Sequence, residues 1–509
     1  PVSCSSEKGW RNRTGPGIPD TVLRNVADEP LLTADVAVVG AGAAGLYAAL
    51  TAAQAGATVA LVSATPLAQT ASYWAQGGIA AALAVDDSPE RHLADTERAG
   101  RNAVRRSAAE VLVRDAPARV ADLERLGVRF DGDRHGTLAL GLEGGHSLRR
   151  VVHAGGSATG RRIVRQLSAL AVDRPRIAVL EGARATSAWM QDGRCAGVLL
   201  EDARAIHARA TILATGGAAA LWSRTTNPPG SLGIGMALAH AAGADLADLE
   251  FLQFHPTAVT GVPGREGFLV SEAIRGEGAT LLGPDGERFV DELAPRDEVA
   301  RAIATLLAQT GARSVGLDMR DVDPARFPNV VAALSEAGLD PTREPIPVSP
   351  ASHYMMGGIV TDLDGRSSVA GLYAIGETAC TGLHGANRLA SNSLSECFVF
   401  GARAATAGLD EPAPTAASAP PPPATLQRPQ RATQEALWRD AGITRTRAGL
   451  GRLLDDPHPL ARLIATCALH REESRGAHQR TDFPAVDGAL DHRHAVVGAD
   501  GQPRMAHWA

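Results

Sequence analysis

Two short apolar runs without polar alternation open the ordered part of the chain, Asp35-Val-Ala-Val-Val39 and Thr58-Val-Ala-Leu-Val62. Runs of this kind suit strands buried on both faces, as in a parallel sheet. Between them lie a glycine-rich turn and a small-residue stretch, 44–55, which reads as a helix ended by Gly56. Strand, helix and strand make a βαβ unit. Three further strand-like runs fall at 177–180, 196–200 and 210–213, and a last one at 371–376 leads into a tight turn. The intervening stretch 236–352 has more loops, acidic residues and prolines, so it reads as an insertion into one α/β domain formed by 31–235 and 353–410. Residues 411–424 form an extended Pro/Ala linker. Beyond it, Leu437, Trp438, Leu450, Leu453, Leu454, Leu463 and Ile464 are spaced for helices, and 425–509 is expected to be a helical domain. Residues 1–30, rich in Pro, Gly, Ser and Arg, read as a disordered leader.

Composition narrows the classes. A net charge of -6 argues against a nucleic-acid binder, and the basic pairs Arg105–Arg106 and Arg161–Arg162 read as solvated helix faces. The cysteines at 4, 195, 380, 397 and 467 show no C-x-x-C spacing and are odd in number, which argues against a disulfide framework or a thiolate metal site and fits a reducing cytoplasm. No apolar run approaches the ~18 residues that span a bilayer, and the leader lacks the apolar centre of a signal peptide. The expected location is therefore cytoplasmic, away from membranes.

Gly40-Ala-Gly42-Ala43-Ala44-Gly45 fits G-x-G-x-x-G and stands between strand and helix, as a dinucleotide pyrophosphate loop requires. The acid that usually ends the second strand is replaced by Ser63, which weakens the case for NAD. Thr215-Gly216-Gly217 after the strand at 210–213 resembles the strand-to-turn segment of flavoproteins with two dinucleotide-binding domains. Glu377 stands where that group places an acid on the flavin's ribityl chain. Three signals in this order point to FAD.

The chain resembles the succinate dehydrogenase/fumarate reductase flavoprotein family over about residues 33–484. The motifs are Gln76-Gly77-Gly78-Ile79, Glu143-Gly-Gly-His-Ser147, Gln253-Phe-His255-Pro256, Ser271-Glu272-Ala-Ile-Arg275, Pro295-Arg296-Asp297, His353-Tyr-Met-Met-Gly-Gly358, Asn387-Arg388 and Ser391-Asn392-Ser393-Leu394. The resemblance implies an α/β fold: an FAD-binding Rossmann-like domain with an inserted α+β capping domain and a C-terminal helical domain. It implies cofactor contacts from Gly40, Gly42, Ala43, Ala44, Gly45, Ser63, Thr70, Ala71, Ser72, Gln76, Gly77, Gly78, Thr215, Gly216, Glu377, Asn392, Ser393 and Leu394. Where the covalent branch carries His between two hydroxyl residues, this chain has Ala71 between Thr70 and Ser72, so FAD should be bound non-covalently.

The substrate end is implied in the same way. His255, His353 and Arg388 should hold carboxylates, with Gln253, Ser271 and Ser391 in support. Arg296 should act in proton transfer through Glu272 and Arg275, although a guanidinium alone reads as a carboxylate clamp. Glu143 marks the branch that oxidises L-aspartate, because a buried ammonium needs an anionic acceptor. The expected reaction is hydride transfer from L-aspartate to FAD, giving iminoaspartate for quinolinate and NAD synthesis. O2 or fumarate would reoxidise the flavin, and quinolinate synthase is a candidate partner. The alternative is a soluble fumarate reductase or succinate dehydrogenase flavoprotein subunit. The family's Gly-Asp-Gly is Gly233-Ile234-Gly235 here; together with Ser63 this predicts weak FAD retention.

Overall fold

The computed structural model describes residues 29–413, 419–423 and 427–508. The expected leader lies outside the described residues except for 29 and 30, as does much of the linker.

A seven-stranded sheet carries the N-terminal half. Its order is Ile177–Glu181, Val59–Ser63, Leu31–Val39, Ala205–Leu213, Arg194–Leu200 and Ala185–Gln191, with Leu372–Ala374 also pairing Ala205–Leu213. The inner strands are parallel, with Val36 opposite both Val59 and Ala210. Val36, Ala37 and Val38 are fully buried, as expected for a strand covered on both faces. One face receives the helix Ala43–Gln54, against which Asn392–Leu409 packs, Tyr47 meeting Phe398 edge-on at 5.3 Å. The strand Leu372–Ala374 returns to this sheet after the insertion.

The insertion forms an antiparallel sheet ordered Leu252–Val259, Ile346–Met355, Val315–Asp318 and Thr280–Leu282. The helices Arg296–Thr310 and Pro328–Ser335 close its own core around Val299, Ile303, Leu317, Val330 and Leu334. The start expected at 236 falls inside the helix Ile234–Ala241. That helix and the strand Leu246–Ala247 stay with the flavin half, the strand pairing Gly358–Val360 and Arg493–Val497.

The C-terminal region holds three helices, Arg431–Asp440, Arg447–Leu453 and Pro459–His470, but it is not wholly helical. It ends in a hairpin, Arg493–Val497 with Pro503–His507, which extends the sheet containing Leu246–Ala247. The hairpin's partner strand lies about half the chain away, so local periodicity does not reveal it. A small sheet of Ile79–Ala80, Val151–Val152 and Leu140–Gly141 sits next to the helix Asn392–Leu409. It places the residues around positions 77, 143, 153 and 391 side by side.

Candidate active site

The register of three adjacent parallel strands brings the cofactor signals together. Val39 lies opposite Leu213, and Leu213 opposite Ala374. Gly40, Thr215 and Glu377 therefore leave the sheet at one edge, the carboxyl ends where such sheets take ligands. The loop leaves no room for side chains: a Cβ on Gly40 (φ +112°) would stand 2.1 Å from the Ala214 carbonyl oxygen, and one on Gly45 1.8 Å from that of Gly40. Gly42 ends the strand side of the helix Ala43–Gln54 with no capping side chain of its own, and Ser72 Oγ accepts from Ala43 N at 3.1 Å instead. A pyrophosphate at this helix N-terminus would find the same donors.

Two buried polar atoms by this edge, Thr70 Oγ1 and Gln76 Oε1, have no protein partner, and nothing lies within 4 Å of the Cβ position at Gly216. A polar cofactor fits that pattern. Thr378 Oγ1 accepts from Gly216 N, and Thr215 Oγ1 from Gly235 N, which fixes the turn. Ser63 is buried with its hydroxyl donated to Thr65 O at 2.6 Å; the acid beside it in register is Glu181. The Asn392 side chain bonds His92 and Thr96, leaving only its backbone for the groove, and Leu394 is buried in the core.

The substrate end forms where the inserted sheet faces the segment 387–393. Gln253 is the hub: its Oε1 accepts from Arg296 Nη1 at 3.0 Å and Arg388 Nη2 at 3.2 Å, and its amide donates to Asn387 Oδ1 and Arg388 O. Arg296 Nε donates to Glu272 Oε2 at 2.7 Å, and Arg275 bonds the other oxygen at 3.1 Å. Asp297 turns the other way, toward Arg101 and Arg301, so Arg296 pairs with Glu272 and not with its neighbour. Arg388 donates to Ser393 Oγ and lies 4.4 Å over the Tyr354 ring. Ser271 caps the short helix Glu272–Gly276.

His255 and His353 face each other at 5.1 Å between ring centroids. His255 Nδ1 lies 3.2 Å from Thr257 N, a donor, so it must accept, which puts the imidazole proton on Nε2. His353 Nδ1 meets Thr226 Oγ1 at 2.7 Å. Burial, followed by the charge of Arg296, pushes both imidazoles well below their ordinary range. They are thus neutral donors, and the positive charge of the site resides on the arginines. Burial lowers Arg388 as well, to about 10, which still leaves it charged at neutral pH.

Glu143 is 3% exposed. Its Oε2 accepts from Ser391 Oγ at 2.6 Å, and Oε1 lies 3.4 Å from His153 Nε2. Burial opposes ionisation, but His153, Ser391 and Arg296 outweigh it and hold the carboxyl at about 2. Glu377 goes the other way: burial raises it to about 8 against the hydrogen bond from Met355 N. His153 and Thr226 are absent from the sequence expectation, since each reaches the site through pairing with distant segments. The arginines of the C-terminal region take no part; Arg471 and Arg475 form a buried cluster with Glu250 and Glu473.

Residues 35–394 match the family model for an FAD binding domain, and 453–507 that for the fumarate reductase flavoprotein C-terminus. The FrdA chain of E. coli quinol fumarate reductase superposes with a TM-score of 0.83 at 28% identity, covering 94% of this chain and 97% of that one. Mycobacterium smegmatis Sdh1 superposes at 0.77 with 30% identity, covering 94% of each. Fold and groove thus define an FAD-binding flavoprotein of the fumarate reductase and succinate dehydrogenase class. L-aspartate oxidases of Agrobacterium fabrum and Caulobacter vibrioides are 46% and 47% identical, each covering 88% of this chain and 91% and 93% of their own lengths. Within the class, the chain belongs to the L-aspartate oxidase family.

Proposed function

We propose that the protein oxidises L-aspartate to iminoaspartate, the first step toward quinolinate and NAD, with FAD reoxidised by O2 or fumarate. The observation that carries this reading is Glu143, a buried carboxylate held by Ser391 beside the arginine-rich pocket. In this reading Arg388 and Arg296 receive the substrate carboxylates, with Ser271 in support. His255 adds a neutral Nε2–H donor with the neutral His353 beside it, and Glu143 takes the ammonium. Glu143 acts as an anchor and not as the base, because a carboxyl held at about 2 is a weak proton acceptor. Bound FAD would supply the hydride acceptor for the Cα hydrogen. The nitrogen proton is assigned to Arg296, whose Nε–H donates to Glu272 at 2.7 Å and which that carboxylate joins to Arg275. The inserted domain supplies His255, Ser271 and Arg296, so its closure over the flavin half completes the site and excludes water.

Ala71 offers no nucleophile at the position where the covalent branch has its histidine, which supports non-covalent FAD. The assigned cofactor contacts are those of the loop 40–45, Ser63, the segments 70–72 and 76–78, Thr215, Gly216, Glu377 and the backbone at 392–394. Among the described residues no helix is long and apolar enough to cross a membrane, and a cytoplasmic setting, with product passed to quinolinate synthase, belongs to the same proposal. Anaerobic addition of L-aspartate should bleach the flavin, whereas succinate and D-aspartate should leave it oxidised. Faster bleaching by succinate would favour a succinate dehydrogenase subunit instead.

A further inference from the structure

The pair Arg161–Arg162 borders a solvent-open cleft, Arg161 partly buried and Arg162 exposed. A cleft of about 870 Å³ separates the flavin half from the inserted domain, lined by Arg129, Arg161, Arg162 and Arg165 on one side and by Arg326 and Asn329 on the other. Neither the flavin groove nor the substrate end contributes to its lining. Three of these arginines come from the helix Thr159–Asp173, where Arg161 and Arg165 are one turn apart and both lie over the Tyr73 ring, at 5.7 and 5.8 Å. The two walls nearly touch: a Cβ on Gly156 would stand 3.4 Å from the Arg326 carbonyl oxygen.

The charge of the first wall is not neutralised, whereas Arg326 opposite is paired with Glu277. Among the described residues, Arg129, Arg161, Arg162 and Arg165 make no ion pair, and Arg161 Nε is buried without a partner. The nearby carboxylate of Asp131 is occupied by Gly155 N and Gly156 N, each at 2.7 Å. Elsewhere the chain pairs its arginines closely, and its total charge is -6. Four like charges around one concave surface repel each other unless an anion sits among them. Guanidinium forks match phosphate oxygens bidentately, and a chain of phosphates can engage several of them at once.

We propose that this cleft is a binding site for a polyphosphate chain, free or carried by a nucleotide, which joins the helix Thr159–Asp173 to Arg326 of the inserted domain. The FAD-loaded full-length protein should be titrated by calorimetry with inorganic tripolyphosphate and with ATP, in excess FAD and at two salt concentrations. Saturable binding at one site is expected, weaker at higher salt. Arg162→Ala and Arg326→Ala should each weaken it by roughly tenfold or more, the scale of one charge-assisted contact, while Arg162→Lys should retain most of it. Tighter binding of ATP would identify a nucleotide, and equal binding the phosphate chain alone. Absence of binding by both probes, unaltered binding in either alanine variant, or displacement of the probe by added FAD would overturn the assignment.

Discussion

Ser391 Oγ donates to Glu143 Oε2 at 2.6 Å and accepts from Gly78 N at 3.1 Å, joining residues 248 positions apart in the sequence. Ser391 adopts φ 61° at the N-terminus of the helix Asn392–Leu409. The backbone N–H fixes the direction of the hydroxyl, and the hydroxyl fixes the carboxylate. Glu143 Oε1 is buried and makes no hydrogen bond, its one close polar neighbour being His153 Nε2 at 3.4 Å, so the anion keeps acceptor capacity for a further donor. In a low-dielectric site, that oxygen favours an ammonium over the methylene of a plain dicarboxylate.

Glu143→Gln keeps the shape and removes the charge. A charge-assisted hydrogen bond contributes ~1.5–3 kcal/mol, so kcat/KM for L-aspartate should fall roughly 10- to 150-fold. Fumarate reduction, which presents no ammonium, should change only a few-fold. Steady-state assays with both substrates check this, and equal losses on the two would remove Glu143 from amine recognition. Ser391→Ala, which removes one hydrogen bond to that carboxylate and keeps its charge, should lower aspartate turnover by about tenfold, the low end for a bond to a charged group.

The two histidines give a pH signature. Both are held neutral well below pH 6.5 by burial and by Arg296. A donor already neutral in the folded enzyme contributes no titration near neutrality, so His255 and His353 should give no acid limb in kcat/KM between pH 6 and 8. A limb in that window that disappears in His255→Gln would show instead that the imidazolium is the working form.

Most of the groove was legible because its signals are local. Gly40 to Gly45, Thr215 and Glu377 each follow directly on an apolar strand, and the parallel sheet then sets them side by side. The substrate end was read through motifs, but its connections were not. Gln253 as the hub of two guanidiniums, 43 and 135 residues away, depends on pairings between distant segments, and His153 beside Glu143 on strands only two residues long, such as Val151–Val152. Such strands leave no periodicity. The same physics hid the C-terminal hairpin and the strand Leu246–Ala247, which moved the start of the inserted domain past the expected residue 236. Arg162 is exposed, as a solvated helix face requires, but the cleft it borders takes its opposite wall from residues 325–329, which no local pattern brings near.

Glu377 should make the FAD-free protein sensitive to pH in a defined direction. Its carboxyl rises from an ordinary 4.5 to about 8 on folding. Between those values the folded state holds a proton that the unfolded state has lost, so stability from this group falls as pH rises from 4.5 through 8. Glu377→Gln, which cannot ionise, should match the parent in Tm near pH 4.5 and exceed it increasingly toward pH 8. Thermal melts of both apoproteins across that range measure the difference. A gap that shrinks with rising pH would mean the carboxylate is stabilised, not penalised, by its surroundings.

FAD retention is the last consequence of the groove's composition. Ser63 gives its hydroxyl to Thr65 O and offers no carboxylate at the end of its strand. Ile234 starts the helix Ile234–Ala241 with an apolar side chain packed on the core, where the family resemblance implies an acid. Both changes remove acceptors for cofactor hydroxyls and N–H groups and leave the glycine loop to hold the pyrophosphate. With Ala71 excluding a covalent bond at that position, FAD should dissociate during extensive dialysis and be restored by added cofactor, read from absorbance at the flavin band and from recovered activity. Ile234→Asp places a carboxylate at a helix N-terminus, where it also meets the dipole favourably, and should slow the loss. Stoichiometric FAD in the parent protein after dialysis would sink this account, since the contacts made by the loop would then suffice.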